Sequence, residues 1–464
     1  WLDTVPHDGL IRYYGLWNEE RIFAASPEAV KQLLVTKPND YVKPRLQFVL
    51  AKNIAAEGLL IQEGQAHKGA RKAYNPAYNP EQTRKSYQPM YQVAGQMLEA
   101  IERQTEQETP FKAKGLAGIL KPVSAGAIDI VGRLAFSRDF NSVQNPRGKG
   151  FGHAYVEMFK TTPRGQWTLD AAAKIGPELA LRLPLRAVKT IKGVMAYVRE
   201  TAEDIVAEHE AHFKADCGTE SSGNNNDDTL TTLMRAHHFE HDHLVDQTVH
   251  ILAAATETVS GSIAWAIHLL SRYPHIQQRV RDEIRAHLPA PGSDDATTFS
   301  EQVFDTRLPY FNAVIKEVLR YHSINTILWR ESVSNTASIL GHSMPVGTKI
   351  VYSPWASNRD PRYWGESARV FDPERWLTAG ATSSTPNTFL TFGAGTRRCV
   401  GEQYARVQMR CVIAALVGRF DFQPQEGRME MESDEGQEIG SQHPLTLFKI
   451  LEGWNLRVTR VEGW

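Results

Sequence analysis

Phe392-Gly-Ala-Gly-Thr-Arg-Arg-Cys-Val-Gly401 is the stretch on which the reading of this chain turns. Its glycines first suggest a dinucleotide loop, but the GxGxxG spacing fails because position 398 is Arg. What remains is a Gly-rich loop, two arginines and Cys399, followed by the helix-like run Glu402 to Leu416. A thiol just ahead of a helix N-terminus, beside Arg397 and Arg398, is expected to be held as thiolate by the dipole and the cations. Such a thiolate can act as a nucleophile or as a metal ligand. No nearby His–Asn arrangement supports a cysteine hydrolase.

Working outward, the loop sits in a chain of 464 residues, 42% hydrophobic and 23% charged, a composition that excludes a disordered protein. The net charge of −1 provides no global field for nucleic acid or anionic lipid. Cys217, Cys399 and Cys411 are too few for a disulfide framework and lack CxxC spacing. The first residue is Trp, so the biological start is expected elsewhere, with an N-terminal anchor helix as one candidate for the missing part. Val249 to Leu270 is the most apolar long stretch, but His250, Glu257 and His268 favour a buried core helix over a membrane span.

Between polar punctuation the chain reads as helical. Ala187 to Phe213 and Leu244 to Tyr273 are long helices, the second ended by Pro274, with Val245, Val249, Leu252, Val259, Ile263, Ile267 and Leu270 at helical spacing. Residues 217–228 and Thr378 to Asn387 read as loops. A β-rich region is expected through Ala337 to Leu340, Met344 to Thr348 and Lys349 to Tyr352, with Pro345 and Gly347 as a turn between short strands. Leu445 to Phe448 and Leu456 to Thr459 read as an antiparallel pair. The whole is mainly α with a small β region (α+β), organised as a single catalytic domain over 1–464.

Here the sequence resembles the cytochrome P450 family, whose FxxGxRxCxG pattern is matched by Phe392, Gly395, Arg397, Cys399 and Gly401. The resemblance implies the P450 fold, with a long central helix over a haem b whose iron Cys399 ligates. Glu317-Val-Leu-Arg320 fits ExxR, and Phe371-Asp-Pro-Glu-Arg-Trp376 fits FxPERW. Glu317, Arg320 and Arg375 would therefore form a structural network under the haem loop. By the same resemblance His67, Arg71, Arg330 and Arg397 bind haem propionates; as residues alone, His67 and Arg71 at i, i+4 read more readily as a surface pair. Ala254-Ala-Thr-Glu-Thr258 resembles (A/G)GxxT, which puts Glu257 and Thr258 where the family delivers protons. An isolated acid–alcohol pair on a helix is more often structural, with Thr bonding the i−4 carbonyl.

By family position the substrate pocket draws on Phe48, Ile54, Ala253, Ala254, Thr326, Ile327, Leu328 and Trp329, and on Gly440 to Pro444. Ile175 to Leu185, through Leu179, Leu181 and Leu183, is expected to form an apolar mouth. No flavin or nicotinamide motif is visible. Electrons from NADPH would arrive through NADPH–cytochrome P450 reductase, or from cytochrome b5. The implied enzyme is a monomeric fungal monooxygenase of lipophilic secondary metabolites, at the endoplasmic reticulum. Two rivals stay open: a haem-thiolate isomerase or dehydratase acting on peroxides without a reductase, and a non-catalytic haem-binding protein.

Overall fold

The computed structural model describes residues 1–106, 115–145, 175–180, 182–183, 186–216, 227–297, 300–378, 380, 385–425, 440–442, 448–450 and 454–464. Its axis is the helix His241–Arg272. Apolar residues run all round this helix, which is why it is buried rather than amphipathic. From Gln247 to Ser271 every residue is buried except Ala253, Ala254, Ala255 and Thr258. Its second half packs Val259, Ile263, Trp265 and Leu270 into one core with Tyr87–Glu106, Pro309–Tyr321 and Glu402–Arg419. Its first half joins a second core with Gly64–Tyr74, Leu120–Phe136 and Arg186–Asp216. Pro274 stops the helix and opens the next, Pro274–His287, where its missing N–H costs nothing.

The main sheet has the strand order Leu10–Tyr14, Glu20–Ala24, Lys349–Tyr352, Leu328–Ser332, Tyr41–Val42. Ile22 pairs with Ile350 in parallel, and Arg330 with the same Ile350 antiparallel. Tyr41 pairs with Ser332 and Val42 with Glu331. This register matters later, because it fixes what stands beside Arg330.

One expectation changes. Among the described residues, Leu456–Arg460 does not pair with Phe448. It pairs with Phe420–Pro424 and Leu116–Ala117, while Phe448–Ile450 pairs with Gly440–Gln442. Two short apolar runs carry no information about which distant strand each will meet. The turn expected at Pro345 and Gly347 is present: Thr348 N–H donates to Pro345 O at 3.0 Å, with Gly347 at φ +88°. The strands there are Ser338–Ile339 and His342–Ser343. Asp228 ends its loop at the expected place, and as N-cap of Thr229–Arg235 accepts from Thr231 N–H.

Cys217, Leu181 and residues 443–447 lie outside the described residues, as do most of the other two loop stretches. Pro177–Ala180 is a short helix with Leu179 exposed, and its Glu178 pairs with Arg45. Among the described residues, no helix is long and apolar enough to cross a membrane.

Candidate functional site

The Cys399 loop is shaped by its glycines. Gly393 and Gly395 adopt φ +71° and +65°. A Cβ on Gly395 would stand 2.2 Å from the Leu34 carbonyl oxygen, so only glycine lets the loop dock on that backbone. Cys399 N–H donates to Phe392 O at 2.9 Å, closing the loop just before Glu402–Arg419. Cys399 keeps solvent access, whereas Cys411 is buried.

The thiol itself departs from expectation. Desolvation pushes its pKa up and outweighs the Gly401 N–H, Arg71 and Arg398, which pull it down. The cations and dipole do not hold a free thiolate here. A coordinated metal ion deprotonates a thiol outright, so this setting suits a metal ligand better than a free nucleophile.

Beneath the loop, Glu317 accepts from Arg320 at 2.6 and 2.8 Å and from Arg375 at 3.0 Å. It also accepts from Asp372 N–H and Trp376 Nε1–H, both at 2.9 Å. Arg320 donates onward to Asn358 O, Ala368 O and Val370 O. The ionic side chains are fully buried and multiply bonded, the condition under which a buried ion pair is tolerated.

At one edge of the site, cations gather. Arg397 donates to Gln62 O at 2.6 Å and pairs with Glu63. Lys43 pairs with the same carboxylate at 3.0 Å. Extending the Val42–Glu331 register by one residue puts Lys43 beside Arg330. His67 is buried, which ends its reading as a surface residue. Its pKa falls to about 4, through burial first and then Arg397 and Lys43, so it is a neutral hydrogen-bonding group. Arg71 donates to Arg398 O at 2.5 Å. Burial, followed by Arg330, lowers the Lys43 pKa to about 8.

Lys43 and Arg397 thus share Glu63, Arg330 lies close to both cations, and Arg71 stands nearer Cys399. That surplus suits a dianion such as the two propionates of haem, and Cys399 supplies a thiol of the kind that holds its iron. The residues fit the group. Lys43 and Glu63 were missed in the sequence; nothing local marks them, and only sheet register and the helix start at Gly64 bring them here.

On the central helix, Ala254 is exposed and Ala253 and Thr258 are half-buried within an otherwise sealed element. The helix surface is uncovered at this turn, and Ala255 packs against the same core cluster as Val400 of the Cys399 loop. Thr258 donates its hydroxyl to Ala254 O at 2.8 Å, leaving its oxygen lone pairs as acceptors. Glu257 is buried beside it.

Phe48, Thr326 and Leu328 are half-buried, and the side chain of Ile54 lies outside those described. Strand alternation separates Trp329 from Arg330. Ile327 and Trp329 line a separate cleft of about 620 Å³ with Trp1, Tyr13 and Trp355, where Arg21 stacks 5.0 Å from the Trp329 ring.

The family model for cytochrome P450 matches residues 9–450. Curated relatives agree along nearly the whole chain. Cytochrome P450 monooxygenase sphH of Aspergillus fumigatus is 31% identical over 98% of this chain and 83% of its own length. Cytochrome P450 monooxygenase FUM15 of Gibberella moniliformis is 31% identical over 91% of this chain and 78% of its own. Cytochrome P450 monooxygenase ALT8 of Alternaria alternata is 28% identical over 100% and 84%.

Proposed function

The chain belongs to the cytochrome P450 family as an enzyme of the monooxygenase class, and from that premise we propose its finer chemistry: insertion of one oxygen atom from O2 into a lipophilic small molecule of fungal secondary metabolism, or oxidative coupling of it. Electrons come from NADPH through a flavoprotein reductase at the endoplasmic reticulum membrane. When bound, haem b supplies oxygen activation and oxygen-atom transfer.

Cys399 holds the iron through Sγ. Lys43, Arg330 and Arg397 bind the propionates by charge-assisted bonds, with Arg71 as a further cation and His67 as a neutral donor. Thr258 holds a proton over the opened helical turn, and Glu257 is the acid that replenishes it. Glu317, Arg320 and Arg375 keep the loop in place without touching substrate. The observation that carries this reading is the excess of cations over Glu63 beside an accessible thiol.

A reductase is supported by a cleft of about 460 Å³ lined by Lys316, Arg406, Arg410 and Trp376, at the helix that follows Cys399. Glu402 also lines it and pairs with Arg406, and the cations left in surplus suit an acidic flavoprotein. Turnover with isotopically labelled dioxygen, NADPH and a reductase tests the reaction. One labelled oxygen in the product, or coupling with NADPH consumed, supports it; product formed without NADPH would favour the isomerase.

A further inference from the structure

His250 lies one helical turn before Ala254 and two before Thr258, on the same stripe of the central helix. At about 1.5 Å per residue, it stands about 6 Å along the axis from Ala254 and about 12 Å from Thr258. Its ring is buried, and its Nδ1 is enclosed with no hydrogen-bond partner among the described residues. Buried polar groups are nearly always satisfied, so this ring calls for a partner.

The ring is also held still. Gly58 packs on it so closely that a Cβ there would lie 2.2 Å from His250 Cβ and Cγ. The Gly58 segment is itself fixed, since Leu59 N–H donates to Gln247 Oε1 at 3.1 Å, and Tyr74 OH donates to the same oxygen at 3.0 Å. Gln247 and His250 share one flank of the helix, so one residue anchors the loop that clamps the other. A rigid unpaired imidazole is a preorganised recognition group. Burial, then Lys43, lowers its pKa to about 4, so it is neutral at working pH and has an N–H to give. The nearby Lys43 ammonium also favours an electron-rich atom at this end.

We propose that His250 is a specificity-determining residue that donates to an oxygen of the substrate, so that this enzyme oxidises a lipophile already bearing a hydroxyl, carbonyl or carboxylate. The proposal builds on the monooxygenase reading and adds the substrate class to it. His250 stands about one to two helical turns from Ala254 and Thr258, so the oxygen it would bind lies apart from the group that is oxidised. An earlier oxygenation, or a chain assembly that leaves an oxygen function, must therefore supply this substrate.

The test uses the haem-loaded enzyme and probes sharing a skeleton: dodecane, 1-dodecanol and dodecanoic acid, and cedrene with cedrol. Affinity is read by the haem spin-state shift and, independently of the haem, by equilibrium dialysis. The parent should prefer the oxygenated member of a pair by about 3- to 10-fold, the scale of one net hydrogen bond. His250→Leu should bring the ratio to about 1 without weakening the hydrocarbon, while His250→Gln keeps most of the preference. Gly58→Ala, which leaves the imidazole intact but pushes against it, should lower the same ratio. A parent with no preference or no oxygenated ligand, or a preference undiminished in His250→Leu, overturns the proposal. Absence of a reduced carbonyl band near about 450 nm in the parent would instead overturn the haem-thiolate reading, whatever dialysis shows.

Discussion

Lys43 stands beside Arg330 because Val42 pairs with Glu331 across the sheet, and Glu63 joins Lys43 to Arg397. Neighbouring like charges on paired strands are destabilising unless an anion lies between them. The arrangement makes sense as half of a site whose other half is the cofactor. Replacing Lys43, Arg330 or Arg397 by Gln should speed haem loss by roughly 10- to 100-fold, the scale of a charged hydrogen bond. Glu63→Gln, which removes the competing carboxylate, should slow haem loss. Haem transfer to an acceptor apoprotein measures all four; equal rates would remove the cluster from haem binding.

Glu317→Ala should prevent recovery of folded, haem-loaded protein. It would leave Arg320 and Arg375 buried without their carboxylate, at a cost of about 3–5 kcal/mol. Chemical denaturation of the parent and Glu317→Gln, which keeps the shape and loses the charge, measures the intermediate loss.

Stability should fall as the pH drops from 6.5 towards 4. His67 and His250 are both held near about 4, chiefly by burial, against an ordinary value of 6.5. In that window the unfolded chain takes up protons that the folded chain refuses, so folding weakens as pH falls. His209 acts in the opposite sense: its pKa is raised, with the Asp228 hydrogen bond as the favourable cause overcoming burial. His250→Leu should therefore flatten the acid limb, and His209→Gln should steepen it. Urea midpoints between pH 4 and 7 read both.

These contacts show what could be read from the chain alone. The Cys399 loop was legible because its parts are contiguous, with Gly395 answering a local steric demand at Leu34. Glu317 and Arg320 were legible because they lie one helical turn apart. Lys43 was not, since its role depends on a strand register set by residues roughly 290 positions away. The placement of Trp329 apart from Arg330 follows from which face of a strand meets the core, and a five-residue strand with mixed side chains leaves that open. The direction of the thiol's pKa departs from the reading because charge and dipole are visible in sequence, whereas the desolvation imposed by the surrounding packing is not.

Thr258→Ala should keep consuming NADPH with substrate present but divert it to hydrogen peroxide. Coupling, as product per NADPH, should fall about 10-fold or more, within the range of a positioned proton donor. Thr258→Ser should stay near the parent. The hydroxyl's bond to Ala254 O gives a purely structural alternative, under which both variants couple alike.

Cys399 as the iron ligand is the central claim, and the spectrum of the reduced carbonyl complex tests it most directly. The parent should absorb near about 450 nm, Cys411→Ser should keep the band, and Cys399→Ser should abolish it. A Cys399→Ser protein that retains the band would contradict the account.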